Sequence, residues 1–147
     1  MTLSFPTINS EGLSTALVFK ALQLDSCSTI ESLSLLEGFQ SQGALEAAGS
    51  GLLINDLEPP AFTCSPALRS LREEIATEMD TASGVMMSGS GTSIYALVRS
   101  DQGTPVESVA PAVEKILEAF PTVLHFECEF VNKKNDINTK YEYHSSC

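Results

Sequence analysis

Apolar positions recur along the chain with two periods, and each stretch predicts an element. In Met1 to Phe5, Leu3 and Phe5 alternate with polar neighbours until Pro6 removes a ladder donor, which reads as a short strand. Asn9 to Gly12 follows as a polar turn. Ser14 is placed to cap a helix running to about Leu24, with Leu17, Val18, Ala21 and Leu22 on one stripe. Ser28 and Glu31 have capping-box spacing for a second helix through about Phe39, whose apolar residues include Leu33 and Leu36. Gly38, Gly43, Gly49 and Gly51 then loosen the chain and make this its most flexible interior stretch. Leu52 to Ile54 leads to Asn55 and Asp56, either of which can cap a short helix broken by Pro59 and Pro60. Ser65 and Pro66 open a helix ending near Asp80; Leu68, Leu71, Ile75 and Met79 form its buried stripe, and Arg69, Arg72, Glu73 and Glu74 its solvated side. Gly84 to Met87 and Ser93 to Val98 read as strands around a tight loop, Ser88 to Thr92. Thr104, Pro105 and Glu107 announce a helix with apolar residues from Val106 to Phe120, regular from near Pro111. Val123 to Val131 is the clearest strand of all.

The order is strand, three helices, two strands, helix, strand. Without the extra early helices this is β-α-β-β-α-β, the split arrangement of an α+β, ferredoxin-like fold, with helices on one face of a four-stranded antiparallel sheet. Residues 1–131 make one domain. From Asn132 to Cys147 the composition turns polar and periodicity fades, which predicts a tail.

Composition narrows the function. A chain of 147 residues, 43% hydrophobic, supports one domain with a core. Nineteen acidic against eight basic residues give a formal charge of −11, which argues against a nucleic-acid partner. The four cysteines, Cys27, Cys64, Cys128 and Cys147, show no C-x-x-C pair and do not suggest a disulfide framework. His125 with Cys128, and His144 with Cys147, imitate metal-ligand spacing, but strand alternation points His125 and Cys128 to opposite faces, so no metal site is expected. No apolar run reaches membrane-span length and no targeting segment is visible, so no membrane partner is expected.

Two stretches suggest ligand chemistry. Gly89 and Gly91 permit positive φ and close approach of backbone to a ligand, successive amides in such a turn can converge on an anion, and Ser88, Ser90, Thr92 and Ser93 add hydroxyls. A plain hairpin turn explains the same glycines equally well. Phe19 falls roughly 130° from the centre of its helical stripe, with Thr15 one turn earlier on its side. It either packs against another element or offers an aromatic platform to a planar ligand. For Asn55 and Asp56 a cap or turn is favoured over direct catalysis.

GLSTALVFKAL, INDLEPPAFTCSPALRSLREEI and VMMSGSGTSIYAL, in this order, resemble the C-terminal half of the 4-diphosphocytidyl-2-C-methyl-D-erythritol kinases, a family of GHMP small-molecule kinases, and NDLEPPAF and MSGSG are most similar to its plant and algal form. The likeness covers about residues 2 to 131. It implies a role in non-mevalonate isoprenoid biosynthesis: transfer of the γ-phosphoryl group of ATP, with Mg2+, to the 2-hydroxyl of 4-diphosphocytidyl-methylerythritol. By the resemblance Phe19 stacks on the cytosine ring, Thr15 is a nearby substrate contact, and Gly89, Ser90, Gly91, Thr92 and Ser93 form the glycine loop beside the phosphates. The ATP-cradling run and the catalytic lysine and aspartate belong to an N-terminal kinase domain, the implied partner. No catalytic residue is therefore expected in this chain, and the chain alone is expected to be inactive. The plant-like resemblance implies the plastid stroma, and any other source the cytoplasm. Another GHMP kinase, of mevalonate or homoserine type, shares the glycine loop but not STALVFK with NDLEPPAF. A stand-alone ligand-binding module is the alternative if Met1 is the true start.

Overall fold

A computed structural model describes residues 2–5, 13–79, 82–98 and 109–128. The strands are β1 (Thr2–Phe5), β2 (Ala82–Met87), β3 (Ile94–Val98) and β4 (Phe126–Cys128). They form one sheet in the order β2-β3-β1-β4, with every pair antiparallel. The first strand is thus interior, pairing Phe5 with Ile94 on one side and Thr2 with Cys128 on the other. The helices are α1 (Thr15–Ala21), α2 (Ser32–Gln42), α3 (Ala44–Ala47), α4 (Glu58–Cys64), α5 (Pro66–Glu78) and α6 (Ala110–Ala119).

The core forms where α5 lies across β2 and β3 and beside α6. Ser65 is extended and Pro66 occupies the first turn of α5, where its missing N–H costs nothing. All four stripe residues, Leu68, Leu71, Ile75 and Met79, are buried against Ile94, Ala96 and Val98 of β3, Met87 of β2, and Val113 and Ile116 of α6. A side chain of this size contributes about 1.5–3 kcal/mol when fully buried, so this layer holds the fold together. Lys115 adds a surface bridge from α6 to Glu78 of α5 at 2.7 Å.

Several local expectations are corrected. In α1 only Val18 is buried, and Leu17 is 56% exposed, because a two-turn helix resting on α4 presents one narrow line rather than a broad stripe. The capping box at Ser28 and Glu31 does not form. α2 starts at Ser32 behind Glu31, while Ser28 Oγ accepts from Ile30 N at 3.3 Å, a local turn that competes with helix. Leu33 and Leu36 point outwards, 70% and 52% exposed. The glycine-rich stretch is largely helical: α3 runs into a wide turn, Ala48–Leu52, with Ala47 and Ala48 buried. Pro59 and Pro60 do not break a helix but start α4, because they sit in its first turn. Arg72 is not a solvated residue. It is half-buried, and Nη2 donates to Val85 O at 3.2 Å.

The last strand begins at Phe126 rather than at Val123. Val123 is buried, but Leu124 and Phe126 are about half exposed, and among the described residues β4 has β1 alone beside it. The Asn9–Gly12 turn, the Thr104–Glu107 helix signature, the strand end at Phe130 and Val131, and the 132–147 tail lie outside the described residues.

Candidate glycine-loop site

Between β2 and β3 the chain turns through Ser88 to Ser93. Ser88 N donates to Ser93 O at 2.8 Å and Gly91 N to Ser88 O at 3.1 Å, which closes the loop on itself. Gly89 and Gly91 have φ of +58° and +97°, the left-handed region that glycine enters without penalty. A Cβ on Gly91 would stand 3.3 Å from Leu68 Cδ2 and from Met87 Sδ, so those side chains would have to give by a few tenths of an ångström on top of the strain that φ imposes. With the Ser88 and Gly91 amides used inside the turn, an anion would be met by the remaining loop amides and the hydroxyls.

α1 supplies a second wall. Thr15 Oγ1 lies 2.9 Å from Ser90 Oγ, a hydrogen bond across 75 residues of sequence. Phe19, one turn further along α1, is 54% exposed and does not pack into the core. The structure therefore brings Thr15 and Ser90 into contact and leaves the Phe19 ring presented to solvent on the same short helix. A cavity of about 210 Å³ opens past the far end of α1, lined by Leu22, Gln23, Cys27, Asp56, Pro59 and Thr63 among others.

The polar run before α4 reaches both walls. Asn55 Nδ2 donates to Met87 O and to Gly89 O, each at 2.8 Å, while its Oδ1 accepts from Leu57 N at 3.0 Å. Of the expected cap or turn roles the turn is present in the Leu57 contact of Asn55, alongside a grip on the loop, whereas neither Asn55 nor Asp56 caps α4, whose N-cap position is Leu57 with no side-chain cap bond. Asp56 Oδ1 accepts from Ser28 N at 2.8 Å. Glu58 Oε1 accepts from Met87 N at 2.7 Å. Glu58 escaped the sequence reading: its only signal was a carboxylate next to two prolines, which suits a helix start anywhere.

Tyr95 of β3 is close enough to feel Glu58. Burial pushes the Tyr95 phenol above its ordinary value, and the Glu58 carboxylate adds to the shift. The folded chain holds this proton more tightly than the unfolded one, so the resulting stability is fully present below about pH 10 and is lost as pH rises through the folded value. Tyr95→Phe should flatten the alkaline fall in melting temperature, measured from about pH 9 to pH 11. An unchanged alkaline profile would remove Tyr95 as its source.

The loop offers hydroxyls and backbone amides, Glu58 Oε1 accepts from Met87 N, and among the described residues no three His, Cys, Asp or Glu side chains gather to hold a cation. Cys27, Cys64 and Cys128 are free thiols.

A family model described as GHMP kinases C terminal matches residues 34–119, from within α2 through the glycine loop to the end of α6. The chain belongs to the GHMP kinase family. Thr15 and Phe19 precede the matched segment of this GHMP kinase C-terminal domain, and Gly89 to Ser93 fall within it. Over 92 residues the domain is 41% identical to a chloroplastic 4-diphosphocytidyl-2-C-methyl-D-erythritol kinase of Arabidopsis thaliana, covering 62% of this chain and 23% of that protein. A chloroplastic/chromoplastic kinase of the same name from Solanum lycopersicum is 39% identical, over 62% of this chain and 22% of its own length. The chain thus spans less than a quarter of the curated relatives it matches. A crystal structure of 4-(cytidine 5'-diphospho)-2C-methyl-D-erythritol kinase superposes with a TM-score of 0.57 at 21% identity, covering 85% of this chain and 41% of that one, a likeness of fold.

Proposed function

We propose that this GHMP kinase C-terminal domain is the substrate-side part of an ATP-dependent kinase that phosphorylates the 2-hydroxyl of 4-diphosphocytidyl-2-C-methyl-D-erythritol. The observation that carries the reading is the Thr15–Ser90 contact, which joins α1 to the glycine loop and leaves Phe19 exposed beside it. Phe19 stacks on the cytosine, Thr15 contacts the substrate, and Gly89, Ser90, Gly91, Thr92 and Ser93 border the phosphates. The names of the plant relatives support the substrate. ATP and Mg2+ are held mainly by the N-terminal kinase domain, and this chain alone has no turnover because phosphoryl transfer needs charge stabilisation from several sides. A plastid setting follows the chloroplastic relatives. The fold is ferredoxin-like, supported by the strand order and by α5 and α6 sharing one core cluster, with residues 1–131 as the domain and 132–147 as a polar tail.

The test is an ATP-dependent assay of the full-length protein carrying this sequence, offered 4-diphosphocytidyl-methylerythritol, mevalonate and homoserine in turn. Phosphorylation of the cytidyl compound alone is expected. Turnover of mevalonate or homoserine instead would overturn the reading.

A further inference from the structure

The glycine loop is held from outside by an acidic and amide-bearing bracket. Among the described residues β2 is an outer strand, with no strand described beside the N–H and C=O groups on its far side. Ser88 N points across to Ser93, so Met87 and Val85, in the opposite phase of the strand, aim their backbone groups outwards. Three of those groups are met by side chains: Val85 O by Arg72, Met87 N by Glu58, and Met87 O by Asn55. Side chains do here what another strand would otherwise do, and they also close an edge to foreign strands.

Two of these residues do more than cover an edge. Asn55 uses both N–H groups of one amide to grip Met87 O and Gly89 O, the carbonyls on either side of Ser88, where the loop leaves β2. Its Oδ1 is fixed by Leu57 N, so the amide makes three hydrogen bonds and has little freedom to rotate. Glu58, three residues on and in the first turn of α4, fixes Met87 N. Between them, Asp56 takes Ser28 N, in the segment that follows α1. A single stretch of four residues therefore holds the root of the glycine loop and the chain beyond Phe19, while Thr15 and Ser90 join the two walls directly.

We propose that Asn55 and Glu58 are positioning residues that set the register of the glycine loop against α1, without touching a ligand themselves. The inference rests on the site assignment above for its consequence in catalysis, but its structural half can be read without it. Asn55→Asp keeps the shape and the Leu57 contact, yet sets a carboxylate oxygen against two carbonyls. Glu58→Ala removes the acceptor for Met87 N, and Glu58→Gln restores one.

Amide hydrogen exchange of this chain reads the bracket. Glu58→Ala should speed exchange in a peptide spanning residues 85–93 by about tenfold, the order expected for one lost hydrogen bond, and Asn55→Asp, which loses two, by about tenfold or more, while residues 66–78 keep their protection. Glu58→Gln should restore the slow rate. Ile75→Val, a core change remote from the bracket, should leave the contrast between the two peptides unaltered. Unchanged exchange in the loop of a folded Asn55→Asp or Glu58→Ala protein, or an equal rise in both peptides, would overturn the proposal.

In the full-length protein the same two variants should lower kcat with KM for the cytidyl substrate within about twofold, since no contact to the base is lost. A loosened loop with unchanged kcat would overturn the positioning role. If the parent protein shows no kinase activity at all, the functional reading fails, while the exchange result still decides whether Asn55 and Glu58 hold the loop.

Discussion

Gly91→Val should destabilise the domain by about 2–5 kcal/mol, and in the full-length protein it should lower kcat of the proposed phosphoryl transfer on the order of a hundredfold. Two costs combine. At φ +97° a β-branched residue is strained whatever the space around it. The new side chain must also grow from a Cβ 3.3 Å from Leu68 Cδ2 and Met87 Sδ and 3.4 Å from Leu13 Cδ2, and Leu68 and Met87 belong to the buried core. The loop must shift, and with it Ser90 and the hydrogen bond to Thr15. Gly89→Ala is the control, since a Cβ there meets nothing within 4 Å and only the φ penalty of about 1–2 kcal/mol remains. Urea unfolding of both variants gives the stability difference, and steady-state kinetics gives the turnover. Equal losses for the two glycines would show that packing around Gly91 is unimportant.

Phe19→Ala should do the reverse, raising KM for the proposed cytidyl substrate by about 5- to 100-fold while kcat stays within about twofold. Stacking of a base on an aromatic ring is a binding interaction remote from the reacting hydroxyl, so ground and transition states lose it alike. The ring is 54% exposed, so its removal should change stability by only about 0.5 kcal/mol. That combination separates a ligand platform from a core residue. A truncated core Phe typically costs about 3–5 kcal/mol, so a large fall in melting temperature with unaltered KM would return Phe19 to packing.

Edge and core features respond to different information. The α5 stripe was fully legible: Leu68, Leu71, Ile75 and Met79 recur at helical spacing behind Ser65 and Pro66, and all four are buried. β2 and β3, with the glycine loop between them, were legible for the same reason, since alternation and glycine act within a few residues. The departure of Phe19 from its stripe was visible as an angle. Its meaning was not, because the same angle suits a buried contact or an exposed ring.

What the sequence determined by itself was local: the apolar stripe of α5, the extended segments on either side of the glycine loop, and where the backbone must tolerate positive φ. Periodicity and turn chemistry are short-range, so they suffice for this. Tertiary structure decided the rest. Thr15 meets Ser90 across 75 positions, Arg72 turns from solvent to cap Val85, Glu58 reaches Met87, and Leu33 and Leu36 stay outside. Each outcome depends on which element lies alongside, and an unpaired backbone group at the edge of a sheet takes whichever polar side chain the fold delivers to it.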